Sequence, residues 1–302
     1  MLDWLFLCLG LALMTFIRTL TTLLFTLLLL AANGQAETSI WKISSGSNSH
    51  YLAGTFHLLK PSDYPLPKEF DQAYNQVNWL VFETDLEQIE HPSFQQKFLA
   101  SMRLPTGKIL ADKLSPKAYA ELIRYAAKNN LDIGRWQHLK PQMVSLIISL
   151  QELKKLGLTA KGVDSYMAEK AQRDGKVTSH LESVEQQIHF ISSMSENNES
   201  ALILQTLDDI KKLSEDLESI SNAWRLGDRE QLYQAGLKPM MENYPMVYQS
   251  LLVERNNNWL PKIEKLMTED ESKLILVGAL HLIGEDGLLE QLRKRGYTIE
   301  QF

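Results

Sequence analysis

The sequence predicts an α/β protein with a mixed sheet core and a large helical insertion. Apolar, β-prone segments lie near both ends of the chain, at residues 39–55, 79–83 and 273–279. Helical patterns punctuated by proline and glycine fill most of the region between them. Because neither end alone has enough strands for a stable core, we expect both ends to contribute to one sheet. Two independent domains are the alternative arrangement.

The predicted core consists of residues 37–110 and 270–302. β-prone residues at 39–43 and 50–55 flank a turn rich in serine, glycine and asparagine, which predicts an antiparallel hairpin. An apolar strand at 79–83 follows a short helical pattern, and this order is typical of a βαβ unit. At the C-terminal end we expect a strand, a helix and a last strand, at residues 273–279, 286–295 and 297–300.

The predicted insertion, residues 111–269, is mainly helical. Ser115 followed by Pro116 is a helix start, because serine caps a helix and proline fits its first position. Gly175 ends another predicted helix, since glycine readily adopts the backbone conformation that closes a helix. One core strand is expected within the insertion, near residues 176–181, between helical patterns at 116–129, 141–156, 163–174 and 184–267.

Residues 1–36 have the composition of a signal peptide or an N-terminal anchor. An apolar run at 20–32 precedes Asn33-Gly34-Gln35-Ala36, which offers small residues where a signal peptidase cleaves. Met14 is an alternative start, and an uncleaved apolar stretch at 4–32 is long enough to span a bilayer. We expect an exported protein, periplasmic or secreted, that meets a membrane only through this segment if it is uncleaved.

Composition excludes several classes of chemistry. Cys8 is the only cysteine and lies in the targeting segment, so the rest of the chain has no thiolate nucleophile, disulfide or cysteine metal ligand. The net charge is −6 and no lysine- and arginine-rich stretch occurs, which argues against a nucleic-acid partner. The expected partner is a peptide or small-molecule substrate.

Two short segments far apart in the chain have the same pattern, Gly-x-x-His. Gly54 to His57 follows one predicted strand, and Gly278 to His281 follows another. In an open α/β sheet, residues just beyond the strand ends form the ligand-binding edge. The pattern therefore predicts two imidazoles at one site, whereas a loop imidazole bonded to backbone is the alternative for each.

Two carboxylates complete this predicted site. Glu83 and Glu182 also follow predicted strands, and two imidazoles with a carboxylate are suitable ligands for a divalent metal ion. A second carboxylate could take a proton from a bound water, so a hydrolase would need no serine or cysteine nucleophile. Alternatively, Glu83 and Glu182 are helix N-terminal or capping carboxylates.

Two further residues are candidates for supporting roles. Asp85 is either an extra ligand or, by the simpler interpretation, a solvated loop aspartate. Arg255 could fork onto a substrate carboxylate or onto Glu182, although a surface helix arginine is the more ordinary assignment.

Six segments of the chain form a recognisable set: Leu52-Ala53-Gly54-Thr55-Phe56-His57, Phe82-Glu83-Thr84-Asp85, Gly162-Val163-Asp164, Leu181-Glu182-Ser183, residues 254–259 and residues 277–288. On these segments the chain resembles the TraB/GumN (TraB/PrgY/GumN) family, which includes the TIKI metalloproteases. The resemblance implies an erythromycin-esterase/ChaN-like α/β core with helical insertions. It also implies that His57 and His281 are the motif histidines, Glu83 the acidic residue and Arg255 the arginine of an Arg-Asn motif.

Together these observations predict an exported, metal-dependent hydrolase that cleaves peptides. His57, His281 and Glu83 would bind a divalent ion, with manganese and cobalt implied by the resemblance and zinc compatible with the ligands. Glu182 would orient or activate water, and Arg255 would hold substrate or buttress the carboxylates. The rival hypotheses are a non-catalytic metal or haem carrier and a protein that binds a peptide without cleaving it.

Overall fold

The computed structural model describes residues 38–46, 48–194 and 196–302, and the predicted targeting segment lies outside them. The described chain is mixed α/β. Six strands form one sheet: β1 (Ile40–Ser45), β2 (Asn48–Thr55), β4 (Trp79–Phe82), β6 (Val177–His180), β7 (Lys273–Gly278) and β8 (Thr298–Gln301). Two short strands, β3 (Leu58–Leu59) and β5 (Ala160–Lys161), form a separate antiparallel pair.

The sheet has the strand order β6-β4-β7-β2-β1-β8. The first four strands in this order are parallel, and β1 pairs antiparallel with both β2 and β8. The predicted N-terminal hairpin is present, and the N-terminal and C-terminal strands alternate within the same sheet. One strand differs from expectation: the core strand predicted near residues 176–181 is present as β6, but its side chains are mostly exposed because it lies at the edge of the sheet.

Helices fill the chain between these strands. The α-helices are Lys68–Asn75, Leu86–Glu90, Pro92–Ser101, Leu110–Lys113, Pro116–Lys128, Pro141–Lys155, Val163–Asp174, Val184–Ser193, Glu199–Asp209, Leu213–Leu226, Arg229–Leu232, Lys238–Asn243, Pro245–Tyr248, Glu254–Met267 and Leu288–Lys294. Single 3₁₀ turns occur at Pro61–Asp63, Ile133–Trp136 and Ala279–His281, and π-helical turns at Tyr233–Leu237 and Gln249–Val253.

Local sequence signals explain several of these helix ends. The Ser115 hydroxyl accepts a hydrogen bond from the Ala118 amide at 3.2 Å, and Pro116 occupies the first helical position, as expected for a capped start. Gly175 ends its helix with φ of +68°, a conformation that a side chain would disfavour. Within the described residues, no helix combines the length and hydropathy needed to cross a bilayer.

Two hydrophobic clusters stabilise the fold. The larger one contains the buried residues of the central strands together with Trp224, Trp259 and Leu260 from the helices that pack near them. A smaller cluster joins the helices Pro116–Lys128, Pro141–Lys155 and Glu199–Asp209 within the insertion. Central strands β4 and β7 are almost entirely buried, which holds their carboxyl ends in fixed positions.

Candidate active site at the carboxyl edge of the sheet

Four polar side chains follow the four neighbouring parallel strands. Along the sheet edge, Glu182 follows β6, Glu83 follows β4, His281 follows β7 and His57 follows β2. Carboxyl ends of parallel strands meet at one edge, so residues from distant parts of the chain become neighbours there. The structure thus brings the two predicted carboxylates and the two motif histidines to the same edge.

Strand register places the two Gly-x-x-His segments side by side. Thr55 of the first segment pairs with Gly278 of the second across the parallel β2–β7 ladder. A Cβ atom on Gly54 would lie 3.2 Å from the Ala279 Cα, so glycine permits this close approach. A Cβ on Gly278 would lie 3.3 Å from Glu83 Oε1. Both glycines therefore leave room for the neighbouring strand end.

Arg255 connects three of these strand ends. Its Nη2 donates to Glu83 Oε2 at 2.5 Å and to Glu182 Oε1 at 2.7 Å, and its Nε lies 3.2 Å from both Glu182 oxygens. Its Nη1 is 3.1 Å from His281 Nε2. The four side chains are buried, with between 3% and 7% of each residue exposed. The simpler assignment of Arg255 to the surface is therefore wrong.

The helix that carries Arg255 also supplies Trp259, an aromatic side chain that packs against the guanidinium. Arg255 follows the π-helical turn Gln249–Val253, and its Nη1 donates to the Leu251 carbonyl of that turn at 3.3 Å. One turn later, Trp259 lies under the guanidinium at 4.6 Å and donates its indole N–H to Glu182 Oε2 at 3.0 Å. Because π-helical turns often occur at functional sites, this local irregularity is consistent with a site here.

Glu83 is held at both oxygens. Its Oε1 accepts a hydrogen bond from the Gly278 amide at 2.6 Å and lies 3.8 Å from His281 Nε2. Burial alone would raise the pKa of Glu83, but Arg255, the neighbouring imidazoles and the Gly278 amide lower the pKa to about 2. Glu83 is therefore a carboxylate at neutral pH.

The other two titratable groups in the cluster are shifted in different directions. Burial raises the pKa of Glu182, although Arg255 and Trp259 oppose this shift. Burial also lowers the pKa of His281 to about 3, which makes its imidazole neutral at physiological pH. With both glutamates ionised, Arg255 supplies one positive charge against two negative charges, so this cluster carries a net charge of about −1.

His57 occupies a more open position than His281. Its side chain is 68% exposed, and its Nδ1 lies 2.9 Å from Asp164 Oδ2. The other Asp164 oxygen accepts the Thr55 hydroxyl at 2.7 Å. The Asp164 carboxylate raises the pKa of His57 to about 9, and because the ring is exposed, water screens part of this attraction.

Gly162 allows Asp164 to reach this position. A Cβ atom on Gly162 would lie 2.2 Å from the Phe56 carbonyl oxygen, which no ordinary contact permits. The Val163 amide donates to that same carbonyl at 2.9 Å, so the start of the helix Val163–Asp174 packs directly against the segment containing His57. The Gly162-Val163-Asp164 sequence therefore holds the start of this helix against the segment containing His57 and brings Asp164 to the imidazole Nδ1.

Other candidates from the sequence lie elsewhere. Asp85 caps the helix Leu86–Glu90 by accepting the Gln88 amide at 2.9 Å. Ser183 rather than Glu182 caps the helix Val184–Ser193. The capping interpretation of Glu182 is therefore wrong.

Three contributors to the site were not singled out for a role by sequence reasoning: Asp164, Asn256 and Trp259. Asn256 contacts His281 Nδ1 at 2.7 Å through its Oδ1. The sequence signal for these residues was their position in the motifs, since Asn256 directly follows Arg255 and Asp164 belongs to the Gly162-Val163-Asp164 segment.

Across the described part of the chain, no three His, Cys, Asp or Glu side chains converge closely enough to hold a metal ion.

Comparison with known proteins identifies the family. A sequence profile described as the TraB/PrgY/gumN family matches residues 39–301. The chain belongs to the TraB/PrgY/gumN family. The match covers the whole strand-end cluster, so the cluster is part of the family domain rather than an addition to it.

Curated relatives of this TraB/PrgY/gumN member include metalloproteases. The chain is 25% identical to Metalloprotease TIKI2 of Danio rerio, over 83% of this chain and 58% of the relative. It is 24% identical to Metalloprotease TIKI1 of Homo sapiens, over 86% and 61% respectively. The uncharacterised protein YbaP of Escherichia coli is 22% identical, over 82% of this chain and 89% of YbaP.

These alignments span less than two thirds of the TIKI proteins. No solved structure matches the chain.

Proposed function

We propose that this protein is an exported, metal-dependent hydrolase that cleaves peptide bonds. The observation that carries the proposal is the buried cluster in which Glu83, Glu182 and neutral His281 all contact Arg255. A buried excess of negative charge next to an imidazole lone pair attracts a cation. Similarity to proteins named metalloproteases supports assigning that cation to hydrolysis.

The side chains at the edge are of the types that ligate divalent metals, although no three of them converge on one point in the described structure. Both imidazoles have Nδ1 against a protein oxygen, from Asp164 or Asn256, which is the usual arrangement behind a metal-binding histidine. We propose that His57, His281 and Glu83 hold the ion. Nitrogen and carboxylate ligands without cysteine suit zinc, manganese or cobalt. When bound, such an ion lowers the pKa of water and polarises a carbonyl group.

The remaining residues have supporting roles in this proposal. Both Glu182 oxygens are engaged by Arg255 and Trp259, which supports a role for Glu182 in orienting Arg255. We propose that Glu182 also orients or activates water. Burial raises the pKa of Glu182 above the ordinary value for a glutamate, and this direction suits a group that accepts and releases a proton. Arg255 buttresses the two carboxylates. Through the neighbouring Glu83, it also fixes the relative position of two strand ends.

We also propose that the protein is exported and that its core is of the erythromycin-esterase/ChaN-like type. The composition of residues 1–36 supports a signal peptide or anchor and hence a periplasmic or secreted location. The parallel strands β2, β7, β4 and β6, with a helical insertion between them, are compatible with an erythromycin-esterase/ChaN-like core.

A non-catalytic role at the same edge is the second candidate. The ring of His57 is exposed to solvent, and binding of haem or a peptide there would not require the buried carboxylates to react. This alternative predicts retention of the ligand without product.

Peptide-library cleavage distinguishes the two candidates. Full-length protein is incubated with a broad peptide library and manganese, and products are read by mass spectrometry. We expect cleavage that requires the metal, is lost in His281→Ala and persists in His138→Ala, whose histidine is exposed and distant in sequence. Retained peptide or a haem Soret band without any metal-dependent product would instead favour the binding protein.

A further inference from the structure

Asn256 is the most firmly oriented amide at the site. Its Nδ2 donates two hydrogen bonds, to the His281 carbonyl at 3.0 Å and to the Asp286 carbonyl at 2.9 Å. A carbonyl oxygen only accepts, so the nitrogen of the amide must face these two groups. The residue is 2% exposed, which leaves the amide no alternative partner in water.

The orientation of the Asn256 amide determines whether His281 Nδ1 carries a hydrogen. Asn256 Oδ1 lies 2.7 Å from His281 Nδ1, and an amide oxygen can only accept. His281 Nδ1 therefore carries the hydrogen in this contact. A bare nitrogen would place two lone pairs against each other inside a buried site, which is unfavourable.

The opposite edge of the ring provides independent support. Arg255 Nη1 lies 3.1 Å from His281 Nε2, and a guanidinium only donates. His281 Nε2 is therefore the acceptor. The two contacts lie on different nitrogens, come from adjacent residues of one helix and require the same arrangement of the proton.

We propose that Asn256 is a positioning residue which, together with Arg255, holds His281 as the Nδ1–H tautomer, with the Nε2 lone pair accepting from Arg255 Nη1. Asn256 also ties the ring to its own backbone, because the same amide binds the His281 carbonyl. A ring fixed at both its nitrogen and its main chain has little freedom to rotate. The link to metal binding rests on the proposed function, whereas the tautomer itself does not.

The wild-type protein tests the tautomer directly. Full-length protein labelled with ¹⁵N only at histidine is studied by long-range ¹H–¹⁵N correlation, and His281 is assigned by loss of its signals in His281→Gln. We expect a protonated Nδ1 and an unprotonated Nε2 for His281 without added metal. A proton on Nε2 would overturn the proposal whether or not the protein is an enzyme.

Three neighbouring asparagines allow a matched test of positioning. Asn256 is buried, whereas Asn257 and Asn258 of the same helix are exposed. We expect Asn256→Ala to weaken Co²⁺ binding by about 10–100-fold, as for other groups behind a metal ligand. Asn257→Ala should bind as the wild type does, because the Asn257 side chain is exposed on the same helix.

The outcomes separate this inference from the proposed function. Absence of Co²⁺ binding in the wild type would contradict the metal site but leave the tautomer result intact. Equal Co²⁺ affinity in wild type and folded Asn256→Ala, checked by circular dichroism, would overturn the positioning role while leaving the metal site standing.

Discussion

Arg255 and His281 form a buried contact in which Arg255 Nη1 lies 3.1 Å from His281 Nε2. The imidazole is neutral, because burial lowers its pKa to about 3, so it can accept this hydrogen bond. Through the same guanidinium, His281 is linked to Glu83 and Glu182. One helical side chain thereby joins the ends of β7, β4 and β6, and the site depends on it more than on any single strand.

Removing the guanidinium should destabilise the fold strongly. Arg255→Met leaves Glu83 and Glu182 as buried charges without their cation. We expect a loss of about 3–5 kcal/mol in the free energy of unfolding, measured by urea denaturation. Added manganese should restore part of this loss, since a cation can replace the missing charge.

An exposed arginine provides the control for this experiment. Arg124 pairs with Glu121 on the surface of one helix, where ion pairs contribute little. Arg124→Met should change the free energy of unfolding by less than about 1 kcal/mol and show no manganese effect. A loss in Arg255→Met no larger than this would contradict the bridging role of Arg255.

The indole N–H of Trp259 should matter separately from its ring. Trp259→Phe keeps an aromatic face below Arg255 but removes the hydrogen bond to Glu182 Oε2. We expect about 1–3 kcal/mol of destabilisation, because a buried carboxylate oxygen loses its donor. Leu260→Met, a volume-conserving change in the same helix, is the control and should cost less than about 1.5 kcal/mol.

Gly162→Ala should displace His57. The added methyl would lie 2.2 Å from the Phe56 carbonyl oxygen and 2.3 Å from the His57 carbonyl carbon, so the backbone must move. We expect a loss of about 1–3 kcal/mol in urea denaturation together with weaker Co²⁺ binding.

Gly278→Ala also adds one methyl group, but this methyl lies next to side-chain atoms rather than backbone atoms. Its methyl would lie 3.3 Å from Glu83 Oε1 and 3.5 Å from His281 Cδ2, contacts that small shifts can relieve. A smaller stability loss than in Gly162→Ala is therefore expected. The reverse order of the two variants would contradict the close packing assigned to Gly162.

Strand ends could be predicted from the sequence because they depend on local pattern. The glycines of the two Gly-x-x-His segments follow apolar strands, and parallel pairing then places His57 and His281 at one edge. Glu83 and Glu182 were found by the same reasoning. The mixed α/β class followed from the alternation of strands and helices along the chain.

Contacts between elements could not be predicted in this way. Whether Arg255 faces solvent or the sheet depends on how its helix packs, and the preceding π-helical turn alters the residue's direction. Asp164 and Asn256 contact the Nδ1 atoms of the two histidines from helices. Because a polar residue on a helix has many possible environments, the sequence does not predict these contacts. The exposure of β6 likewise depends on which strand lies at the edge, a property of the whole topology.

His50 should make the protein sensitive to acid at a place outside the strand-end site, because it lies near the start of β2 whereas His57 follows the end of that strand. The residue is 1% exposed, so its imidazole is shielded from water. Burial and then nearby Lys273 lower the pKa of His50 below its ordinary value of 6.5. As pH falls below about 6.5, the unfolded state binds a proton that the folded state does not.

The free energy of unfolding should therefore decrease with falling pH, by up to about 1.4 kcal/mol per unit from this residue, until the folded-state pKa is reached. His50→Leu should show a shallower acid dependence than wild type in urea denaturation between pH 6.5 and 4.5. His138→Leu, at an exposed position, is the control. Identical slopes in wild type and His50→Leu would contradict this assignment.

Metal content tests the central claim most directly. Purified full-length wild type, His57→Ala, His281→Ala and His138→Ala are equilibrated with manganese or cobalt, dialysed, and measured by elemental mass spectrometry. We predict about one ion per chain in the wild type and His138→Ala, with a marked loss in both His57→Ala and His281→Ala. Equal metal content in all four folded proteins would contradict a shared metal site at the carboxyl edge of the sheet.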